Sequence, residues 1–412
     1  MAPIHPAPTG NGMAMRNFLF VKAASLDFRV KVVVVPVVGR TPMPASSQAA
    51  EVQLPGRAQI AASLPGLLAS PAWRERLSAA YPLPPLAAMA PPVLAPAIVE
   101  AARAAPGTAV HAARSYLMPL AIAVAQELGS PWSSADLDDD DDELAAAAGN
   151  EDEARAYRRL IRVFAPLFDG LSAASPGEAA ALAARHGLDV TVIPNAVAWP
   201  QVPGQRVPHP ETRGAAGRNP DRSTGPGRAG VRLLFVGNLT YWPNADAAAR
   251  LVREVLPRLR PLIPGPVTVT LVGDCGSNHG LMALGREPGV RLTGFAADLG
   301  PCYREADVLV VPLAFGAGTR IKILEAFSHG VPVVTSPAGA AGLELADGVH
   351  ALIADSAGGL AGAVARLMTD DGLRLRLVAA AGRLVRERYS HEEVIPQIRG
   401  FFKVAASSPV DA

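Results

Sequence analysis

The feature that most constrains the fold is a series of short apolar segments in the second half of the chain. These segments span residues 231–238, 267–274, 290–293, 306–313 and 331–336. Segments with helical periodicity lie between or after them, at 246–259, 319–329 and 360–388. The segment 306–313 (ADVLVVPL) is apolar over its whole centre, as expected for a strand buried on both faces. The alternation predicts a parallel, doubly wound α/β sheet.

The first half shows the same alternation less clearly. Residues 29–38 (RVKVVVVPVV) predict a buried strand that follows a helix at 13–24. Shorter strands are predicted at 109–113, 170–174 and 189–193. A second α/β domain fits this pattern. Such a domain normally starts with a strand, so either residues 1–8 form a very short one or the first strand precedes the printed start.

A stretch rich in Pro, Gly and Arg separates the two halves. Residues 201–230 show no apolar periodicity, which predicts an interdomain linker. The chain of 412 residues then divides into a first domain at 1–200 and a second at 231–390, both of ordinary domain size.

Composition excludes several classes of protein. The net charge of +1 argues against a nucleic-acid binder, which needs a basic excess. Two cysteines cannot crosslink the chain, and Cys275 and Cys302 lack the spacing of a zinc site. The uncharged stretch 81–99 contains six prolines, so we interpret it as a loop between short elements and not as a membrane span. The N-terminus lacks the pattern of a signal peptide, so a cytoplasmic location is expected, with peripheral membrane attachment left open.

The polar and glycine-rich signals of the second half follow the predicted strands, where open parallel sheets bind their ligands. They are Gly237-Asn238, Gly273-Asp274, Gly294-Phe295, 316–319 (GAGT) and 336–339 (SPAG).

The strongest signal is the segment 315–330 (FGAGTRIKILEAFSHG). Gly316 and Gly318 allow close approach of a ligand to the backbone, and Thr319 can cap the following helix. Arg320 and Lys322 add two positive charges, and Glu325 can accept hydrogen bonds from a ribose diol. Each charged residue alone could be an ordinary surface residue, but their joint placement after an apolar strand favours a nucleoside-diphosphate clamp.

At this motif the chain resembles the GT-B glycosyltransferases, in particular the retaining family 4 group of bacterial polysaccharide glycosyltransferases. The matching segments of the second half are VGN at 236–238, LVGD at 271–274, LTGF at 292–295, YREADVLVVPL at 303–313, 316–344, HALIAD at 350–355 and ERYS at 387–390. The first half is similar more loosely, through 6–16 (PAPTGNGMAMR), the acidic run 136–143, ASPGE at 174–178 and VIPNAV at 192–197. The resemblance implies a GT-B fold, in which two Rossmann-like domains face each other across a cleft.

The resemblance also assigns roles to residues of the second half. Glu325 matches the second glutamate of the family's E-x7-E motif, which contacts the donor ribose, whereas Ala317 stands at the position of the first. The usual Arg and Lys after the first strand are missing as well, and we expect Arg320 and Lys322 to replace their charge. The implied donor-binding set is Gly237, Asn238, Gly273, Asp274, Phe295, Gly316, Gly318, Thr319 and Glu325.

In the first half, the loop of Gly10, Asn11 and Gly12 resembles the one that faces the donor phosphates and the acceptor, although it could be a simple turn. His111 ends a short strand where the family often has an active-site histidine, and Arg114 shares its loop. A lone histidine is more often structural than catalytic, and the same alternative applies to Arg114. The acidic run 136–143 is expected to be a solvated loop or helix start and not a metal site, because consecutive aspartates cannot all converge on one ion.

The resemblance implies transfer of a sugar from a nucleotide sugar to a glycan or lipid-linked acceptor, in surface polysaccharide synthesis. The resemblance implies retention of the anomeric configuration by front-face attack, which needs neither a metal nor another cofactor. The implied catalytic residues are Glu325, Arg320, Lys322 and His111. A last helix at about 392–404 is expected to cross back to the first domain. Two other functions fit the same architecture: a sugar-nucleotide epimerase, and a non-catalytic nucleotide-binding relative.

Overall fold

A computed structural model describes residues 1–9, 11–37, 49–52, 54, 57–199, 230–316 and 320–407. The predicted linker lies outside the described residues except for Gly230, as do Gly10, Ala317, Gly318 and Thr319.

The first half contains two small parallel sheets. The strands are β1 Val32–Val34, β2 Ala49–Glu51, β3 Val110–Ala112, β4 Ser133–Asp136, β5 Gly170–Ala173 and β6 Thr191–Val192. Strands β3 to β6 pair in that order, and β1 pairs with β2. Residues 1–2 lie between the two sheets, because Ala2 N–H donates to Val33 O at 2.9 Å and Ala113 N–H donates to Met1 O at 2.9 Å. Met1 and Ala2 thus occupy the place of a very short central strand.

Nine helices of the described residues surround these strands. They are α1 Gly12–Ala24, α2 Arg57–Leu68, α3 Pro71–Ala80, α4 Pro85–Met89, α5 Ala95–Ala102, α6 Met118–Leu128, α7 Asp141–Ala147, α8 Glu151–Phe164 and α9 Pro176–His186. The stretch Pro85–Ala102 is apolar and long enough to cross a membrane by length and composition. It is broken into α4, a 3₁₀ turn and α5, and Ala87, Leu94 and Ile98 are buried in the core of the first half.

The second half is one six-stranded parallel sheet. Its strands are β7 Val231–Val236, β8 Val267–Val272, β9 Val290–Leu292, β10 Val308–Val311, β11 Val333–Thr335 and β12 Leu352–Ile353. They pair in the order β9-β8-β7-β10-β11-β12. The order therefore reverses between β7 and β10, and ligands of such sheets bind in the crevice outside the carboxyl ends of the strands at this point.

Eight helices of the described residues accompany this sheet, and a ninth, α18 His391–Ser407, follows them. The eight are α10 Trp242–Arg250, α11 Leu256–Leu259, α12 His279–Leu284, α13 Gly300–Glu305, α14 Ile321–Ser328, α15 Pro337–Ala340, α16 Ala357–Thr369 and α17 Asp371–Arg388. A π-helical turn at Leu251–Val255 joins α10 to α11. The prediction of two α/β domains with parallel sheets is confirmed, although β2, β4 and β12 were not predicted and β1 is shorter than the segment 29–38.

The last helix, α18, packs on the first half. Ile398, Phe401 and Phe402 share a small core with Leu19 and Phe20 of α1. The guanidinium of Arg399 donates to both carboxylate oxygens of Asp27, at 2.6 and 2.8 Å.

The chain passes between the two halves at two places that lie side by side. Val197 N–H donates to Tyr389 O at 2.9 Å, and His391 N–H donates to Val197 O at 3.2 Å. Val197 and Ser390 thereby form a parallel bridge just before the chain leaves the first half and just before it enters α18. We call this pair of strand-like crossings the double crossing.

Candidate functional site

The crevice begins with three glycine turns packed backbone against backbone. Gly237 N–H donates to Val272 O at 3.0 Å, and Gly273 N–H donates to Gly294 O at 2.9 Å. A β-carbon at Gly273, where φ is +147°, would overlap the carbonyl oxygen of Gly237, and one at Gly237 would lie 2.8 Å from Lys322 Nζ. A side chain is therefore excluded at Gly273, and one at Gly237 would displace Lys322 and Asn244, so glycine at both positions leaves the backbone open toward the crevice.

Lys322, on the first turn of α14, directs its ammonium group toward the backbone of Gly237. Its ammonium donates to Asn244 Oδ1 at 2.6 Å and lies 4.6 Å from the centroid of the Phe235 ring. Burial, and then the nearby charge of Arg320, lower the pKa of Lys322 to about 7. Holding two cations close together in a buried place is unfavourable, and an anionic ligand would offset that cost.

Arg320, immediately before α14, is 8% exposed. Its Nη2 donates to Gly316 O at 2.5 Å and to Ala338 O at 3.2 Å. The guanidinium thus ties the glycine-rich turn after β10 to the turn after β11. It thereby holds Gly316, near the start of the predicted phosphate clamp, close to Ala338.

Glu325 lies one turn after Lys322, facing α13. The hydroxyl of Tyr303 donates to Glu325 Oε2 at 3.0 Å. Burial raises the pKa of Glu325 to about 7, although this hydrogen bond and the charge of Lys322 oppose the shift. A carboxyl group with such a pKa changes its protonation near neutral pH.

Asn238, Asp274 and Phe295 complete the predicted donor-binding set. The side chains of Asn238 and Asp274 close their own turns: Asn238 Oδ1 accepts from Thr240 N–H at 3.0 Å, and Asp274 Oδ1 accepts from Gly276 N–H at 2.9 Å. Phe295 is 71% exposed at the end of the β9 turn. The structure thus gives the two polar residues a role in shaping the turns and presents the Phe295 ring to solvent.

The first half faces this crevice with the start of α1. Asn11 caps the helix by accepting from Met13 N–H at 2.9 Å. A β-carbon at Gly12 would lie 3.3 Å from Ile321 Cδ1, at the start of α14. The predicted loop of the first half and the predicted phosphate clamp of the second are therefore in contact.

His111 lies away from this contact, on the face of β3 that packs against α1 and α18. Its ring stacks on Phe20, with 5.1 Å between centroids, and Nδ1 lies 2.8 Å from Ser134 Oγ. Burial lowers the pKa of His111 to about 3, so the imidazole is neutral at pH 7. The structure places it in an aromatic cluster, and its catalytic role stays a prediction.

The acidic run begins the helix α7, as expected, but most of it is not solvated, and that part of the expectation is wrong. Asp136, Asp138, Asp141 and Asp142 are all buried. Their charges are compensated by arginines that are distant in sequence. The guanidinium of Arg16 binds both carboxylate oxygens of Asp136, at 2.6 and 2.7 Å.

Arg114 compensates three more carboxylates of this run. It donates to Asp138 at 2.9 Å, to Asp141 at 3.0 Å and to Asp139. With three carboxylates around it, the Arg114 guanidinium is held in an ion-pair network of the first half and not presented to a phosphate. Its assignment to the acceptor or phosphate loop gains no support from this geometry.

A cavity of about 470 Å³ lies between the halves, beside the glycine-rich turn. The second half contributes Phe315, Gly316 and Ala338 to its wall. The first half contributes three carboxyl side chains, Asp140, Glu143 and Glu178. Burial raises the pKa of Glu178 to about 8. Carboxyl groups of this kind can exchange hydrogen bonds with the hydroxyl groups of a sugar.

Two residues of the site escaped the sequence analysis. Asn244 orients Lys322 and also donates from Nδ2 to Asn238 O at 3.0 Å. Tyr303 contacts Glu325. An asparagine in a helix and a tyrosine before a strand carry no signal of their own. Among the described residues, no group of three or more His, Cys, Asp or Glu side chains could hold a metal ion.

Comparison with known proteins identifies this part of the chain. Residues 230–370 match the family described as glycosyl transferases group 1, so they form a domain of that family. A phosphatidyl-myo-inositol mannosyltransferase of Mycobacterium leprae is 36% identical over 123 residues, which are 29% of this chain and 33% of that protein. The chain therefore matches only a third of the length of this curated relative.

Solved structures extend the similarity to the whole fold. Sucrose-phosphate synthase of Thermosynechococcus elongatus superposes with a TM-score of 0.68 at 16% identity, covering 99% of this chain and all of that one. HepE of Anabaena, solved in complex with UDP-glucose, has a TM-score of 0.63 at 16% identity, with 97% of this chain and 98% of that chain covered. The predicted resemblance to the GT-B glycosyltransferases and the predicted GT-B fold are confirmed, whereas the retaining family 4 subtype stays a prediction.

Proposed function

We propose that the protein is a glycosyltransferase that takes its sugar from a nucleoside-diphosphate sugar. The observation that carries this proposal is the pair of cations, buried Arg320 and half-buried Lys322, at the carboxyl edge of the sheet where the strand order reverses. A site that holds two cations in a partly desolvated place is suited to the two phosphates of such a donor.

The chemistry is the departure of the nucleoside diphosphate from the anomeric carbon. Its negative charge grows as the bond breaks, and Lys322 with the first amides of α14 can stabilise that charge without rearranging. Arg320 holds the turns on either side in place. Glu325 is proposed to bind the ribose. Retention, with the leaving phosphate accepting the proton of the acceptor hydroxyl, follows from the family resemblance.

The acceptor is proposed to bind in the cavity beside the glycine-rich turn. Its wall combines both halves of the chain, so an acceptor there would lie next to the donor. The carboxyl groups of Asp140, Glu143 and Glu178 suit the hydroxyls of a glycan or of a lipid-linked glycan. We further propose that the reaction serves surface polysaccharide synthesis, in the cytoplasm or at the inner face of the membrane, without a metal or other cofactor.

Thermal unfolding with UDP, GDP and ADP is the first test. A functional donor site should stabilise the protein by about 2.7 kcal/mol at a ligand concentration of 100 Kd. The absence of a shift with all three nucleotides would support the non-catalytic alternative.

A donor screen, scored by release of nucleoside diphosphate in the presence of glycan acceptors, then tests transfer. Conversion of the donor sugar without any acceptor would instead identify an epimerase.

We expect Glu325→Ala to lower the rate of transfer at least about tenfold, because the donor loses hydrogen bonds to a charged group. The initial rate with a saturating acceptor measures the effect. The exposed Glu287→Ala serves as a control and should retain full activity. Near-normal turnover of Glu325→Ala would refute the ribose role.

A further inference from the structure

Tyr303 joins the two residues of α14 that the proposed function uses. Its side chain is completely buried, and its ring stacks on His329 with 5.1 Å between the ring centroids. The hydroxyl oxygen lies 3.0 Å from Glu325 Oε2 and 3.2 Å from the backbone carbonyl oxygen of Lys322. One phenol group therefore contacts the carboxyl assigned to the ribose and the backbone of the lysine assigned to the diphosphate.

A tyrosine hydroxyl has one proton and can donate it to only one of these acceptors at a time. If Glu325 is ionised, the hydroxyl donates to the carboxylate. If Glu325 is protonated, its own O–H can donate to the Tyr303 oxygen while Tyr303 donates to the Lys322 carbonyl. In both states Tyr303 holds the same carboxyl oxygen, Oε2.

We propose that Tyr303 is the positioning residue for Glu325: it holds Oε2 and thereby directs Oε1 toward the ribose diol of the donor. This inference rests on the proposed function, because it presupposes a nucleotide in the crevice. The hydroxyl is not needed to fill the core, since phenylalanine has nearly the same volume. Its contribution lies in the orientation of one carboxyl group.

The titratable groups that act on Tyr303 and Glu325 lie on α13 and α14. Lys322 and Glu325 lie on α14, His329 stacks on the Tyr303 ring, and Cys302 neighbours Tyr303 on α13. Burial raises the pKa of Glu325, whereas the hydrogen bond from Tyr303 lowers it. Loss of the hydroxyl should therefore raise this pKa further and weaken the ionised form as an acceptor.

The test compares two ligands in Tyr303→Phe: a nucleoside diphosphate and its 2′,3′-dideoxy analogue, by calorimetry at pH 8. The wild-type protein should prefer the ribose form about tenfold, which corresponds to hydrogen bonds to a charged group. In Tyr303→Phe this preference should fall below about threefold, while the affinity for the dideoxy analogue stays within about twofold, because the diphosphate contacts remain. Tyr157→Phe, at a buried tyrosine of the first half, should change neither affinity.

Two further variants separate positioning from general damage. In a Glu325→Gln background, Tyr303→Phe should have no additional effect on the ribose preference, because Tyr303 acts through Glu325. Glu325→Asp withdraws the carboxylate from Tyr303 without touching the core ring, so it should also reduce the preference, and it can be measured even if Tyr303→Phe does not fold.

The experiment distinguishes failure of the Tyr303 inference from failure of the proposed function. If the wild-type protein binds no nucleoside diphosphate, the proposed function fails. If it binds with a ribose preference that Tyr303→Phe and Glu325→Asp retain, the inference is overturned. Equal losses for both ligands in Tyr303→Phe, or a wild-type protein without ribose preference, overturn it as well.

Discussion

At the scale of single residues, the site depends on polar groups that are held by backbone or by one neighbour. Lys322 is oriented by Asn244, and Arg320 by two carbonyl oxygens. The sequence could predict the charged residues, because they follow a glycine-rich turn after an apolar strand. It could not predict the residues that orient them, since a contact between positions 244 and 322 leaves no local pattern.

We expect Lys322→Met to lower the affinity for nucleoside diphosphates at least about tenfold, because a charge-assisted hydrogen bond is lost. The free protein should be as stable as the wild type or more so, because a buried charge has been replaced by an apolar group. Calorimetric titration and thermal unfolding measure the two effects. The exposed Lys31→Met is the control, and wild-type affinity in Lys322→Met would remove this lysine from the site.

Binding of a nucleoside diphosphate should take up protons at pH 8. The pKa of Lys322 is lowered to about 7, so most of its amine is neutral at that pH. The pKa of Glu325 is raised to about 7, so most of its carboxyl is ionised. The anionic diphosphate favours the protonated form of Lys322, whereas the ribose hydroxyls favour the carboxylate that Glu325 already has at this pH. The affinity should therefore fall as the pH rises from about 7, the pKa of Lys322 in the free protein.

Calorimetry in buffers with different ionisation enthalpies measures this uptake. Lys322→Met should take up fewer protons than the wild type. A binding enthalpy that does not depend on the buffer at pH 8 would contradict the coupling.

At the scale of elements, the sequence predicted nine of the twelve strands of the described residues but fewer than half of the helices. Among the strands it missed β4. That strand reads Ser-Ser-Ala-Asp and has no apolar run, because small side chains fill the space on both of its faces. The prediction that the acidic run after β4 is solvated was wrong for a related reason. Its partners, Arg16 and Arg114, lie up to 120 residues away, so local sequence shows the charges without their compensation.

The Arg16–Asp136 pair joins α1 to the end of β4, and we expect Asp136→Asn to destabilise the protein by about 3 kcal/mol. The substitution keeps the shape but leaves the buried Arg16 without its bidentate partner. Removing one partner of a buried ion pair costs about 3–5 kcal/mol. We expect the lower value because the carboxylate of Asp138 lies 3.8 Å from Arg16 Nε and still compensates part of its charge.

Urea denaturation measures the loss. The exposed pair of Asp152 and Arg155 gives the control, since Asp152→Asn should cost less than about 1 kcal/mol. If Asp136→Asn also lowered the free energy of unfolding by less than about 1 kcal/mol, the Arg16–Asp136 ion pair would not be needed for stability.

At the scale of the whole molecule, the last helix stabilises the half of the chain that is most distant in sequence. We expect Ile398→Ala, a fully buried position, to cost about 2–5 kcal/mol and to loosen α1. Hydrogen exchange should become faster in peptides from 12–24 and remain unchanged in α16. The control is the exposed Gln397→Ala, and faster exchange confined to α18 would contradict the coupling.

The double crossing has a consequence for how such chains can vary. Two polypeptide segments pass between the halves side by side, joined by hydrogen bonds at Val197, Tyr389 and His391. Two connecting segments that are hydrogen-bonded to each other restrict rotation of one half about the direction of the segments. They permit a hinge rotation of the halves about one axis through Val197 and Ser390. Because the axis is set at these residues, insertions or deletions between 199 and 230 would change the length of the chain without moving the axis.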